Sequence, residues 1–389
     1  MRNPKIRFKG YADAWEQRKV ADVFKVTRGY VLAATETSPD ISNDNIYPVY
    51  SSQTKNEGLM GYYSDYLYED AITWTTDGAN AGTVKFRKGK FYCTNVCGVL
   101  LSNEGIANKA VAESLNAVAW KYVSHVGNPK LMNNVMSEIE IMIPKSVEEQ
   151  LKISEYLDTF DNLITLHRRK CEEIKTLKKF MLQKMFPQNG ENVPEIRFDG
   201  FTDAWEQRKW IDVVDISTEM VNPTTGEYDN MPHIAPGNIE SFTGRILDNV
   251  KTVKEEQLIS GKFRFRPDDV VYGKINPQLG KYFYATVNGL TSADAYVFNG
   301  KNGLKQKFLF ALLQTSDFFK YSVSVSKRSG MPKINRDEIN AYSFLMPSEE
   351  EQDKVGSYLL QLDNLITLHQ RKCDELQSIK KFMLQNMFV

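Results

Sequence analysis

Side chains that suit hydrogen bonds with bases and phosphates gather near glycine-containing turns in each half of the chain. The first set is Thr76, Asp77, Asn80, Thr83, Lys85, Arg87 and Lys88. The second set is Lys274, Asn276, Gln278, Lys281, Lys327, Arg328, Ser329 and Lys333, with Arg336 just beyond it. Amide, hydroxyl, ammonium and guanidinium groups are the usual contacts to base edges and backbone phosphates. Each residue taken alone fits an ordinary solvated turn, but the presence of such a set in both halves favours recognition of a ligand.

Motifs for catalysis or metal binding do not occur in the sequence. It contains no G-x-x-x-x-G-K-[ST] loop, no G-x-G-x-x-G, no H-E-x-x-H and no nucleophile elbow. Cys93 and Cys97 have no second Cys or His pair nearby, so packing in the core is favoured over a zinc site. His125 and His233 are isolated. We therefore expect neither a catalytic centre nor a cofactor in this chain.

An internal duplication supplies the elements that position the polar turns. The segment 6–19 (IRFKGYADAWEQRK) returns at 196–209 as IRFDGFTDAWEQRK, identical at 11 of 14 positions. The segment 161–186 (DNLITLHRRKCEEIKTLKKFMLQKMF) returns at 363–388 with 19 of 26 positions unchanged. The offsets are 190 and 202, so the second copy carries a net insertion of 12 residues (202 − 190). The regions between these anchors align only loosely, as expected if one scaffold holds two different binding surfaces.

The second repeated segment has the pattern of a long coiled-coil helix. In both copies a Pro, a Ser and acidic residues precede it, which predicts helix starts near Val147 and Glu349. Its apolar positions recur every 3.5 residues, which indicates a seam, and a helix of roughly 38 residues would be about 55 Å long. The seam positions are Ile153, Leu157, Phe160, Ile164, His167, Cys171 and Ile174 in the first copy, and Val355, Leu359, Leu362, Ile366, His369, Cys373 and Leu376 in the second. We predict that the two helices pack antiparallel, with His167 and His369 fixing the register or, as the alternative, sensing pH.

Each helix also carries apolar residues away from the seam. They are Leu163, Leu166, Leu177, Phe180 and Leu182 in the first copy, and Leu365, Leu368, Ile379, Phe382 and Leu384 in the second. One interpretation is a wider face that packs against the helix's own domain. The other is a docking surface for partner subunits, for which Leu166, Leu177, Phe180, Leu368, Ile379 and Phe382 are the candidates.

The predicted fold is α+β, with two mixed α/β domains separated by two long antiparallel helices in a pseudo-twofold internal repeat. The predicted order is an N-terminal motif (1–20), a first domain (21–147), a central helix (148–188), a linker with the second motif (189–209), a second domain (210–347) and a C-terminal helix (348–389). Segments 71–102 and 262–298 alternate in the manner of antiparallel strands. Helices are predicted at 109–125 and 305–322, each followed by a closing strand.

Composition gives expectations about the partners and the cellular compartment of the protein. Among 389 residues, 49 Lys and Arg balance 49 Asp and Glu, so net charge does not indicate a polyanionic partner. Four cysteines are too few for a disulfide framework, and the N-terminal residues lack the apolar core of a signal peptide. No apolar stretch approaches the roughly 20 residues of a membrane helix. We expect a cytoplasmic protein without a membrane association.

Three duplicated motifs resemble a known family. They are DAWEQRK at the start of each copy, the P…EEQ junction at 144–150 and 347–352, and the helix endings KKFMLQKMF and KKFMLQNMF. Together, in this order and around two dissimilar domains, they resemble the specificity (S) subunit of type I restriction-modification systems over essentially the whole chain.

The resemblance implies two target recognition domains, each of which reads one half of a bipartite site in double-stranded DNA. It also implies that the helices set the unread gap and dock two methyltransferase (M) subunits, with restriction (R) subunits in the full complex. S-adenosylmethionine, ATP and Mg²⁺ would then serve the partner subunits. The alternative from another functional class is a coiled-coil scaffold whose end domains bind proteins or other ligands.

Overall fold

The computed structural model describes residues 4–52, 55–188, 190–327 and 330–388. The chain forms two compact units. Unit 1 comprises 1–166 and 372–389, and unit 2 comprises 167–371. Each unit thus contains one variable domain together with segments of both long helices.

Unit 1 is built around a six-stranded sheet and a small two-stranded sheet. Its strands are β1 (Glu16–Lys19), β2 (Lys25–Arg28), β3 (Tyr47–Tyr50), β4 (Leu59–Tyr63), β5 (Tyr68–Thr75), β6 (Val84–Cys93), β7 (Cys97–Leu101) and β8 (Glu140–Ile143). Its helices are α1 (Val20–Val23), α2 (Lys109–Ala119), α3 (Asn133–Glu138) and the first part of α4 (Val147–Lys184). The large sheet has the order β2-β7-β5-β6-β3-β4, antiparallel except for β3 and β6. The antiparallel strands expected at 71–102 are β5 to β7.

Unit 2 divides its strands between a four-stranded, a five-stranded and a two-stranded sheet. The strands are β9 (Glu206–Lys209), β10 (Val214–Ile216), β11 (Met220–Val221), β12 (Pro232–His233), β13 (Lys251–Thr252), β14 (Lys262–Phe265), β15 (Val270–Gly273), β16 (Tyr282–Tyr284), β17 (Gly289–Thr291), β18 (Ala295–Gly300) and β19 (Ser343–Met346). The helices are α5 (Trp210–Val213), α6 (Gln306–Leu312), α7 (Ser316–Val325), α8 (Arg336–Asn340), the part of α4 from residue 167 onward and the part of α9 (Glu349–Met387) up to residue 371. The sheet orders are β10-β18-β15-β16, β11-β14-β17-β12-β13 and β19-β9.

Two predicted domain helices have different ends from those expected. The helix expected at 109–125 ends at Ala119 and continues only as a 3₁₀ turn to Tyr122. The helix expected at 305–322 is two helices, α6 and α7. The side chain of Thr315 accepts a hydrogen bond from the Phe318 amide, which starts a new helix at that point. Helical periodicity in the sequence did not distinguish such a break from a continuous helix.

The repeated segments 6–19 and 196–209 make the same structural contacts in their units. Their EQRK residues form β1 and β9, which pair with the closing strands β8 and β19. Arg7 makes a two-point ion pair with Glu149 at 2.6 and 2.8 Å, and Arg197 repeats it with Glu351 at 2.7 and 2.8 Å. Both glutamates are about 1% exposed, so these two-point ion pairs, which we call Arg–Glu forks, are buried. They fix each segment to the first turn of a long helix.

The long helices begin where the sequence predicts, at Val147 and Glu349. Within unit 1, Phe160 and Ile164 of α4 form a buried cluster with Cys373 and Leu376 of α9. Within unit 2, the ring Nδ1 atoms of His167 and His369 lie 2.9 Å apart across the two helices. Positions later in α4 meet positions earlier in α9, so the seam and the antiparallel pairing are confirmed inside each unit.

An ion pair is repeated with its helices exchanged. In unit 1, Lys380 of α9 donates to Asp161 of α4 at 2.6 Å, and Lys109 contacts the same carboxylate. In unit 2, Lys178 of α4 donates to Asp363 of α9. Each copy of the repeated segment therefore provides the aspartate of one pair and the lysine of the other.

Candidate nucleic-acid interface

The first predicted set begins in the turn that follows β5. Thr76 is buried, and its hydroxyl contacts the Val96 carbonyl at 3.0 Å and the Asp77 carboxylate at 2.7 Å. Asn80 is exposed, and the amide of Thr83 closes the turn by donating to the Asn80 carbonyl. Hydrogen bonds thus hold the base of the turn, and Asn80 is exposed at its tip.

Three basic residues of β6 differ in their availability. The Arg87 guanidinium lies 3.8 Å from the centre of the Tyr50 ring and donates to the Glu57 carbonyl at 2.7 Å. Since Arg87 is 8% exposed, these contacts within the unit occupy it. Lys85 lies 3.3 Å from the Glu57 carboxylate, whereas Lys88 is exposed. Lys85 and Arg87 also line a cavity of about 210 Å³.

The second predicted set contains a basic cluster around Tyr296. The ammonium of Lys274 lies 5.0 Å from the Tyr296 ring centre, and the Arg336 guanidinium lies 5.9 Å from it. Burial lowers the pKa of Lys274, and the charges of Lys333 and Arg336 lower it further against the attraction of Asp294. Three cations thus share one surface, which is an arrangement suited to a phosphate.

The other members of the second set differ in exposure and contacts, and two of them lie outside the described residues. Gln278 is exposed and donates to the Asn276 side chain at 3.3 Å, whereas Lys281 donates to the Ile239 carbonyl. Lys327 and Lys333 are exposed. Arg328 and Ser329 lie outside the described residues. DNA contact by any of these residues stays a prediction.

A loop lies beside the polar turn in each unit, and the sequence analysis missed only the loop of unit 1, because Lys333 of the unit 2 loop belongs to the second predicted set. In unit 1 it is 127–131 (GNPKL), where Lys130 forms a bridge with Asp77. In unit 2 it is 330–334 (GMPKI), where Lys333 forms a bridge with Ile275. The signal available in the sequence was the short echo G-x-P-K-[LI], which is easily overlooked between domains that otherwise align loosely.

Histidines and cysteines form no metal cluster in the described ranges, where no group of three or more His, Cys, Asp or Glu could hold an ion. Cys93 and Cys97 are free and buried. His233 lies 2.6 Å from Glu256. In the described part of the chain, no helix combines the length and the apolarity needed to cross a bilayer.

The apolar residues beside the seam behave in two ways. Leu182 and Leu384 pack partly against cores of their own units. The others remain 37% to 60% exposed. We name the candidate docking residues of unit 1, Leu163, Leu166, Ile379 and Phe382, docking face 1, and those of unit 2, Leu365, Leu368, Leu177 and Phe180, docking face 2. Docking at either face stays a prediction. The repeat offset places equivalent residues in the two faces.

Known proteins share these features at several levels. The family described as "Type I restriction modification DNA specificity domain" matches residues 12–176 and 202–378. The EcoDI specificity subunit of Escherichia coli is 28% identical over 259 residues, which are 60% of this chain and 57% of that relative's length. A Mycoplasma pneumoniae chain named as a candidate type I specificity subunit is 26% identical over 344 residues, covering 88% of this chain and 87% of the relative.

The fold itself has a solved counterpart. The crystal structure of the type I restriction-modification S subunit from M. genitalium superposes with a TM-score of 0.74 at 13% identity, covering 100% of this chain and 99% of that one. At this identity the likeness concerns the fold alone, including its mixed domains and long helices. From the family match in both halves together with this fold, the chain belongs to the type I restriction-modification specificity family and carries two copies of its DNA specificity domain.

Proposed function

We propose that this chain is the noncatalytic DNA-recognition subunit of a cytoplasmic type I restriction-modification complex. Each variable domain reads one half of a bipartite double-stranded site, and the paired helices set the separation between the halves. S-adenosylmethionine, ATP and Mg²⁺ serve the partner subunits. The observation that carries the proposal is the repetition of one scaffold, with its Arg–Glu forks and exchanged ion pair, around two different polar surfaces.

The partners in this proposal are two methyltransferase subunits, with restriction subunits in the larger assembly. Docking faces 1 and 2 support it, because matched exposed apolar surfaces on two units suit two copies of one partner. A chain of zero net charge attracts the DNA backbone only weakly. Contacts between the partner subunits and the backbone phosphates would add to the affinity.

The direct test is methylome sequencing of cells that express this chain with its methyltransferase subunit. We expect one bipartite motif, with two specified halves and a fixed gap. Replacing residues 21–147 with the equivalent domain of a relative should change one half only. A change in both halves, or an absence of any new methylated motif in the presence of assembled complex, would contradict the proposal.

A point substitution tests the basic cluster of unit 2. Lys274→Ala should weaken DNA binding by the assembled complex about tenfold, because Lys274 faces the surface that it shares with Lys333 and Arg336. The matched control is Lys254→Ala, since the Lys254 side chain is 73% exposed and its ion pair with Asp229 is long, at 3.7 Å. Equal affinities of the two variants and the unaltered complex would place the DNA elsewhere on unit 2.

A further inference from the structure

We propose that loops 127–131 and 330–334 are equivalent DNA-reading elements, in which the residue between Gly and Pro selects a base and the following lysine holds the DNA backbone. The selecting residues are Asn128 in unit 1 and Met331 in unit 2. This inference rests on the proposed function and assigns specificity to two positions within it.

The two loops are held by the same hydrogen bonds. In unit 1 the amide of Leu131 donates to the Thr76 carbonyl at 2.9 Å, and the amide of Gly78 donates to the Pro129 carbonyl at 3.0 Å. In unit 2 the amide of Ile334 donates to the Lys274 carbonyl at 3.0 Å, and the amide of Asn276 donates to the Pro332 carbonyl at 2.8 Å. Each loop is therefore clamped to the polar turn beside it.

A buried aromatic side chain fixes the end of each loop. The indole of Trp74 donates to the Leu131 carbonyl at 3.0 Å, and the hydroxyl of Tyr296 donates to the Ile334 carbonyl at 3.2 Å. Different residues on different strands thus hold the same backbone atom of the loop. Fixing a binding side chain on a rigid support limits the entropy lost on binding.

The tips of the loops are open, unlike their bases. Gly127 and Gly330 have φ of +74° and +112°, and nothing lies within 4 Å of a Cβ built on either. Asn128 is exposed, and Met331 is 67% exposed. Each unit thus presents a side chain of different chemistry from the same kind of rigid frame.

The lysine that follows the proline suits a phosphate contact in both units. Lys333 is exposed beside Lys274 and Arg336. Lys130 lies 3.8 Å from Asp77, and its side chain is 50% exposed. An exposed pair at this distance contributes little, so Lys130 can exchange Asp77 for a phosphate oxygen at small cost.

Asn128 and Met331 would select different bases. The Asn amide matches the donor and acceptor pattern of adenine in the major groove, whereas an apolar side chain contacts the methyl group of thymine. Because the two loops are held in the same way, exchanging Asn128 and Met331 should exchange the base preferences of the two half-sites. Because Lys130 and Lys333 are common to both, they should contribute affinity without base preference.

The experiment uses the complex of the full chain with its methyltransferase subunit, and DNA duplexes that carry every single base change in the motif found by methylome sequencing. Asn128→Ala should reduce discrimination at one position of one half-site about tenfold, and Met331→Ala should reduce it about fivefold in the other half-site. Lys130→Ala and Lys333→Ala should weaken binding to all duplexes alike and lower the salt slope by about one.

Two exposed turn residues provide matched controls. Asn103→Ala in unit 1 and Val287→Ala in unit 2 should leave the motif and the affinity unchanged. Unchanged discrimination by both loop variants in an active complex overturns this inference and leaves the proposed function intact. Failure of the unaltered complex to methylate any bipartite site overturns both.

Discussion

Arg87 shows how a basic residue in a predicted DNA-binding set can be engaged inside its own domain. Its guanidinium covers the Tyr50 ring and donates to the Glu57 carbonyl and, at 3.2 Å, to the Thr73 hydroxyl. The neighbouring Lys88 is exposed, as expected where successive strand residues face opposite sides of the sheet. Arg87 thus makes contacts within its unit, whereas its sequence neighbour Lys88 is available to a ligand.

Substitutions of these two residues should separate stability from DNA binding. Arg87→Ala should lower the free energy of unfolding by about 2 kcal/mol, since it removes a cation–π contact and two hydrogen bonds. Lys88→Ala should change stability by less than about 0.5 kcal/mol. Urea unfolding of the variants measures both effects. An unaltered unfolding midpoint for Arg87→Ala, together with lost DNA affinity, would show that the guanidinium contacts DNA instead.

The sequence predicted the long helices, whereas it carries no signal for the contacts of single cations, and the physical reason is the same. A seam such as Ile153, Leu157 and Phe160 is a local pattern that burial imposes every 3.5 residues. The engagement of Arg87 depends on Glu57, which lies 30 residues away in the chain, and the place of Lys130 depends on a bridge to Asp77. Contacts between distant segments leave no periodic signal, so only the structure reveals them.

At the scale of the helices, the exchanged ion pair has two different environments. Burial disfavours the Asp161 carboxylate, but hydrogen bonds from Lys109 and Lys380 outweigh burial and lower its pKa. Burial dominates for the second pair, where it raises the pKa of Asp363 and lowers that of Lys178. The side chains of Lys178 and Asp363 are 8% and 10% exposed, against 20% and 40% for Lys380 and Asp161.

Removing the aspartate should therefore be more costly in unit 2 than in unit 1. Asp363→Asn leaves Lys178 buried without its counter-charge and should lower the free energy of unfolding by about 3 kcal/mol. Asp161→Asn, in a more exposed and salt-screened network, should lower it by about 1 kcal/mol. Urea unfolding at neutral pH measures the difference, with exposed Asp353→Asn on α9 as the control. Equal losses would show that burial does not govern the contribution of this pair.

At the scale of the whole chain, the duplication yields one pair of surfaces that is alike in the two units and one pair that is different. Docking faces 1 and 2 are made of equivalent residues, whereas the polar surfaces of the two variable domains are not. Near-identity in the helices and divergence in the domains are what the proposed function requires, with two copies of one partner and two different half-sites. The balanced charge of 49 against 49 is compatible with this arrangement, because a local cluster such as Lys274, Lys333 and Arg336 needs no net surplus of cations.

Charged substitutions in one docking face should remove one partner and leave the other. Leu166→Glu with Phe382→Glu, in docking face 1, should reduce the number of bound methyltransferase subunits from two to one, because a carboxylate in an apolar interface loses its hydration. Native mass spectrometry of the purified complex counts the subunits. Leu151→Glu, at a 53% exposed position of α4 outside both faces, is the control. A variant that still binds two partners would place the docking surface elsewhere.

The last helical segment of the chain belongs to unit 1, which otherwise lies within the first 166 residues. Its Met387 is buried with Trp15, its Asn386 carbonyl accepts from the Ile6 amide at 3.0 Å, and Phe388 packs edge-on against Trp15. A stop codon that removed residues 372–388 would therefore damage the variable domain within residues 21–147, while unit 2 would keep its own segments of both long helices. A lesion and the domain that it damages would then be separated in the sequence by the whole of unit 2.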